Sequence, residues 1–182
     1  MPEKPPRKGL TLVFTGNGKG KTTAAVGLAV RAAGNRMRVF FLQFIKGQWK
    51  SGEREVLRSL PTVDLEVTGR GFTIERLRNP KISLEDHAAA AAHGWQVAKQ
   101  IVGEGEYDMV VLDEILGAVT AGLVSLDELL ALVRAKPPSL HLVLTGRNAP
   151  PELVELADLV SEVQPIKHPL QQGIKAQRGI EF

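Results

Sequence analysis

The sequence predicts an α/β chain: a three-layer domain with a mostly parallel central sheet. Three observations carry that prediction. Short apolar runs of strand length alternate with segments of helical length along the chain. The first run, residues 10–14 (LTLVF), leads into glycines at 16, 18 and 20, then Lys21, Thr22 and Thr23 at the start of an Ala/Val/Leu-rich helix. A later run, MVVL at 109–112, ends in the carboxylate pair Asp113-Glu114.

Taken in order, residues 1–8 are a basic, proline-bearing tail expected to be disordered, which leaves 9–182 as one domain. After the first strand, 22–33 is apolar nearly all round, as in a helix packed into a sheet, and Gly34 is placed to end it in a left-handed turn. Residues 37–44 (MRVFFLQF) read as a second strand, followed by a polar loop at 47–54. A short helix within 51–60 and a third strand at 63–67 come next, then a charged loop at 69–81. Ser83 with Asp86 forms a capping box that opens a long helix to about residue 102. The strand at 107–113 follows, and Ser125 with Glu128 forms a second box for a helix ending before Pro137-Pro138. Residues 140–144 are a buried strand, Pro150-Pro151 suits the first turn of a short helix, 159–163 is a last strand, and 165–182 is mostly polar.

Composition bounds the function. The 182 residues are 43% hydrophobic with a net charge of +3, too small and too scattered to indicate nucleic acid as a partner. Without cysteine there is no disulfide, thiolate zinc site or thiolate-held iron–sulfur cluster. No apolar run approaches the roughly 20 residues of a membrane span, and MPEKPPRKG lacks the apolar core of a signal peptide, so a cytoplasmic protein with no membrane partner is expected.

Strand, glycine-rich turn and helix start ending in Gly-Lys-Thr is the arrangement of a P-loop, which holds a polyphosphate. Backbone N–H groups and the helix N-terminus face the anion, Lys21 adds a charge, and the Thr22 hydroxyl can ligate Mg²⁺. Gly16 and Gly20 are separated by three residues where the standard pattern has four, so its first position falls on Thr15. Asp113 and Glu114 end a strand that should reach the same sheet edge, where a carboxylate binds Mg²⁺ directly or through water. Gln43, Lys46 and Glu53 lie along that edge, as a solvated loop or as part of the site. Thr145-Gly146-Arg147 is either a tight turn or a contact to phosphate or ribose. Arg31 reads as a surface arginine of the first helix. Phe72, between glycine and charge, is a core fragment or a face for a flat ligand. His87, His93, His141 and His168 show no metal-ligand spacing and read as structural, and Trp95 and Tyr107 as core. With no Asn-Lys-x-Asp signature, adenine is the expected base. These residues alone leave open an ATP-hydrolysing or phosphoryl-transferring enzyme and a nucleotide-gated carrier.

Several ordered blocks go further: TGNGKGKTTAA at 15–25, QFIKGQW at 43–49 with GE at 52–53, GRGFT at 69–73, MVVLDE at 109–114, LTGR at 144–147, LADLVSEV at 156–163, KHP at 167–169 and GIKAQRGIEF at 173–182. Together they resemble the corrinoid adenosyltransferase family of the P-loop type, whose own glycine loop has the shortened spacing. The resemblance implies a RecA-like nucleotide-binding fold and attack of Co(I) of cob(I)alamin or another corrinoid on the 5′ carbon of ATP, with triphosphate leaving. It implies that ATP lies reversed relative to other phosphate-loop proteins and that Gly16, Asn17, Gly18, Lys19, Gly20, Lys21, Thr22 and Thr23 hold it, with Arg31 a weaker nucleotide contact. Lys21, Thr22 and Glu114 become the catalytic set. Thr22 and Glu114 become Mg²⁺ contacts, with Asp113 in an outer shell. Phe72 and position 74 crowd the corrin's lower face and exclude the cobalt's lower ligand. An external electron donor, such as a reduced flavoprotein, and a homodimer complete the implied partners.

Two departures stand out. Relatives commonly carry Trp two residues beyond the phenylalanine, where this chain has Ile74. Some relatives also have a longer N-terminal lid over the corrin, expected to be short or absent here. The first departure predicts that activity favours cobinamide, which lacks the lower base, over cobalamin. Ile74→Trp should shift the ratio of the two rates toward cobalamin; equal ratios in both proteins would refute the idea.

Overall fold

The computed structural model describes residues 8–45, 47, 51–71 and 82–181. Within them lie strands β1 (Thr11–Thr15), β2 (Val39–Gln43), β3 (Val63–Val67), β4 (Met109–Asp113), β5 (His141–Thr145) and β6 (Leu159–Glu162). The helices are α1 (Lys21–Gly34), α2 (Gly52–Ser59), α3 (Leu84–Glu104), α4 (Ile115–Thr120), α5 (Leu126–Ala135) and α6 (Pro151–Leu156), with a 3-10 turn at Pro169–Gln172. The strands form one sheet in the order β3-β2-β4-β5-β1-β6, every pairing parallel. The expected mostly parallel sheet is thus parallel throughout, a RecA-like arrangement.

Both faces of the central strands are covered, which is why those strands are apolar at successive positions rather than at alternate ones. Side chains nonetheless divide strictly by parity. Val39, Phe41, Met109, Val111 and Val143 meet Ala25, Ala29 and Ala32 of α1 and Leu57 of α2 on one face. Phe40, Leu42, Val110, Leu112, Leu142 and Leu144 meet α3, α4, α5 and α6 on the other. Alanines along α1 let that helix lie close on the sheet, as the apolar 22–33 segment implied. Trp95 is buried in the second cluster as expected, whereas Tyr107 only packs against it, edge-on to Phe40 at 5.3 Å.

The long third helix starts where the sequence places it. The Ser83 hydroxyl accepts from the Asp86 N–H at 3.0 Å, and the Asp86 carboxylate accepts from the Ser83 N–H. Elsewhere local signals mislead. Gly34 stays helical; the left-handed residue is Arg36 (φ 61), after which the Met37 N–H returns to the Ala32 carbonyl and Met37 packs on the core. Placement of Met37, not glycine's freedom, decides where the helix ends. Ser125 occupies the N-cap of α5, but its side chain makes no capping bond, so the second expected box is not formed. Helix α4 and the 3-10 turn were not anticipated. Among the described residues no helix is long and apolar enough to cross a membrane.

Candidate functional site

All six strands point their C-terminal ends at one edge, and the phosphate loop, the carboxylate pair and the Thr145-Gly146-Arg147 turn meet there. A cleft of about 1240 Å³ occupies that edge. Residues 17–23 border it, with Glu53, Glu114 and Arg147. Gly16 lies behind the loop instead: a Cβ there would stand 2.4 Å from the Val163 carbonyl oxygen, at φ +97. Gly18 donates its N–H to that same oxygen at 2.7 Å, and the Val163 N–H reaches the Thr15 carbonyl at 2.8 Å. The chain just after β6 therefore clamps the loop from behind. The Thr15 hydroxyl, at the position that the standard pattern gives to glycine, accepts from the Ala149 N–H at 3.2 Å.

Helix α1 begins without a side-chain cap and without an acidic residue in its first turn, so its positive end is left for an anion. Lys21 is buried and folds back to donate to the Gly18 carbonyl at 2.9 Å. Burial holds its ammonium below the usual lysine value. Glu114 opposes that shift, the Arg147 charge adds to it, and Asp113 opposes it.

Asp113 is fully buried and does not border the cleft. Its carboxylate accepts from the Thr22 hydroxyl at 2.9 Å, the Thr145 hydroxyl at 2.8 Å and the Gln43 side-chain amide at 3.1 Å. Gln43 in turn accepts from Arg54 Nε at 2.7 Å, and Arg54 also donates to the Gly47 carbonyl. Glu114 follows in a left-handed conformation (φ 62), its N–H held by the Thr145 hydroxyl at 2.8 Å. That turn sends two consecutive carboxylates to different places, Asp113 inward and Glu114 to the cleft. Thr22 and Glu114 thus border the cleft as hard oxygen donors, a set that suits a small divalent cation shared with phosphate oxygens.

Arg31 sits in the exposed last turn of α1 and does not border the cleft. Lys46, Phe72 and Ile74 lie outside the described residues. Of the histidines read as structural, His141 accepts from the Leu10 N–H and His93 lies 3.5 Å from Glu66, while His87 and His168 border the cleft. Leu84 and Ala88, which with His87 form one face of the first turns of α3, also line the cleft, as do Gly117, Thr120 and Leu123, none of them part of a recognisable motif. Spacing of 84, 87 and 88 is the one local sign of that wall. Gly179, Ile180 and Glu181 reach the cleft from far along the chain.

The profile of the family described as ATP:corrinoid adenosyltransferase BtuR/CobO/CobP matches residues 7–182. Among curated proteins, the corrinoid adenosyltransferase of Escherichia coli K12 is 41% identical over 175 residues, covering 96% of this chain and 86% of that protein. Corrinoid adenosyltransferase CobA of Salmonella typhimurium LT2 matches at the same identity and coverage. The corrinoid adenosyltransferase of Pseudomonas aeruginosa is 43% identical over 176 residues, 96% of this chain and 84% of its own length.

The Thr145 hydroxyl joins two consecutive residues, donating to the Asp113 carboxylate and accepting from the Glu114 backbone N–H. Thr145→Val, nearly isosteric, should lower the unfolding free energy by about 1–3 kcal/mol, read from urea unfolding. Thr145→Ser should restore most of the loss.

Proposed function

The chain belongs to the ATP:corrinoid adenosyltransferase family of transferases, and from that premise we propose that it transfers the 5′-deoxyadenosyl group of ATP to Co(I) of a corrinoid with release of triphosphate, in the making or salvage of adenosylated cobalamin. The observation that carries the proposal is the size and asymmetry of the cleft. Single small-molecule pockets run to about 300–1,000 Å³, and this one, at about 1240 Å³, is lined by cationic and hydroxyl groups of the phosphate loop and the start of α1 and by Ile45, Leu84, Ala88 and Leu123 from the other face of the sheet. Its polar part suits a nucleotide, and its apolar part suits a face of a second, largely apolar substrate.

In the reaction, the lone pair of Co(I) forms the bond to C5′. The C5′–O bond breaks with its pair on the phosphate oxygen, and cobalt ends formally as Co(III). No proton is transferred, so no general base is required of the chain. Its task is to place two reactants in line and to favour negative charge on the leaving triphosphate. Gly20 and the first turn of α1 present backbone N–H groups, and Lys21 exchanges its contact with the Gly18 carbonyl for the polyphosphate. Thr22 and Glu114 would hold Mg²⁺, with Asp113 fixing the Thr22 hydroxyl from behind. When bound, that ion neutralises part of the triphosphate charge. Reduction of the corrinoid to Co(I) falls to an external donor, for which a reduced flavoprotein is the proposed class. A homodimer in the cytoplasm is the proposed working form.

Incubation with ATP, Mg²⁺ and reduced corrinoid should yield intact triphosphate and an adenosylated corrinoid. Orthophosphate or ADP would point to hydrolysis or phosphoryl transfer, and binding without any phosphorus product to a carrier. Lys21→Ala should lower turnover by a factor of roughly 10² or more; near-unchanged turnover would refute its role.

A further inference from the structure

We infer that Arg147 is a catalytic residue of this site, a second cation that touches the triphosphate opposite Lys21 and takes up charge as it leaves. The inference rests on the adenosyl-transfer reading and names a residue to which that reading assigns no role.

Sheet register places Arg147 beside the phosphate loop. Strand β5 pairs with β1 in parallel with Thr145 opposite Phe14, so the chains leaving the two strands run side by side. The Gly146 N–H donates to the Phe14 carbonyl at 3.2 Å, and the Ala149 N–H to the Thr15 hydroxyl. Arg147 is held between these two tethers. The turn itself is braced: Gly146 has φ +142, and a Cβ there would stand 2.6 Å from Cβ of Leu116 in α4. A backbone fixed on both sides delivers the guanidinium to the mouth of the cleft, which it borders together with the whole run 17–23.

The electrostatics are those of a site made for a polyanion. Arg147 is exposed, and among the described residues it has no carboxylate within ion-pair distance. Its charge is felt by the buried Lys21 as a repulsion. Lys21 and Arg147 face one cleft and repel each other, and a bound polyphosphate adds to the relief that Glu114 and Asp113 already give Lys21 and meets the Arg147 charge as well. Departure of the triphosphate adds one unit of negative charge to an oxygen that was an ester. A cation poised there gains more from the transition state than from bound ATP, which raises turnover rather than affinity alone. Guanidinium suits the task better than ammonium because its planar fork donates two parallel hydrogen bonds to a phosphate.

The test measures binding of inorganic triphosphate with Mg²⁺ by calorimetry, without corrinoid, alongside steady-state turnover. For Arg147→Ala we expect triphosphate binding to weaken by about tenfold or more and kcat to fall by about 10–100-fold, with the melting temperature unchanged because the side chain is exposed. Arg147→Lys should recover part of both losses. Triphosphate binding equal to wild type in Arg147→Ala overturns the inference, as does a fall in kcat that Arg147→Lys leaves untouched while triphosphate binding is normal. If the wild type makes no adenosylated corrinoid, the adenosyl-transfer reading fails, and the calorimetric comparison still decides whether Arg147 holds triphosphate.

Discussion

A single buried carboxylate organises the sheet edge on which the cleft lies. Asp113 ends β4 at full burial and is surrounded by hydroxyl and amide donors from three other parts of the chain: Thr22 of α1, Gln43 of β2 and Thr145 of β5. A carboxyl group in such a place is tolerable only if its hydrogen-bonding capacity is met. Meeting it locks the helix that follows the phosphate loop to the ends of the central strands. Arg54, joined through Gln43, extends the network to the start of α2 and to the loop at Gly47. Each member therefore serves position as much as stability.

Under the proposed reaction, that network would let one sheet edge serve two unlike substrates. Helix α1 covers one face of the sheet, and α3 and α4 cover the other. The cleft runs across the crest between them, so its charged side derives from the loop and helix start on the first face. Its apolar side derives from the opening turns of α3 and from α4 on the second. Glu114 stands at the crossing because its left-handed backbone reverses the chain directly after Asp113.

Much of this was legible in the sequence because it is locally written. Strand-length apolar runs, Gly-Lys-Thr, the Ser83 cap and the paired carboxylates all depend on neighbours within a few residues, and all lie where they were expected. What could not be read depends on contacts between distant segments. Arg36 adopts the turn expected of Gly34 because Met37 has a core to reach. Gln43 and Arg54 resemble ordinary strand-end and loop residues until the sheet order brings Asp113 beside them. The spacing around Gly16 and Gly20 marked the loop as compressed, but nothing near it showed that Val163 would press against its back.

That contact between Val163 and the glycine loop has a temporal consequence. Loop and clamp are far apart in the described chain, so joining them carries a large loop-closure cost. During synthesis, a ribosome-bound chain carries the complete glycine motif long before it carries the segment that shapes it. The rear contacts of the loop are therefore complete only once β6 has been made and has taken its place at the border of the sheet.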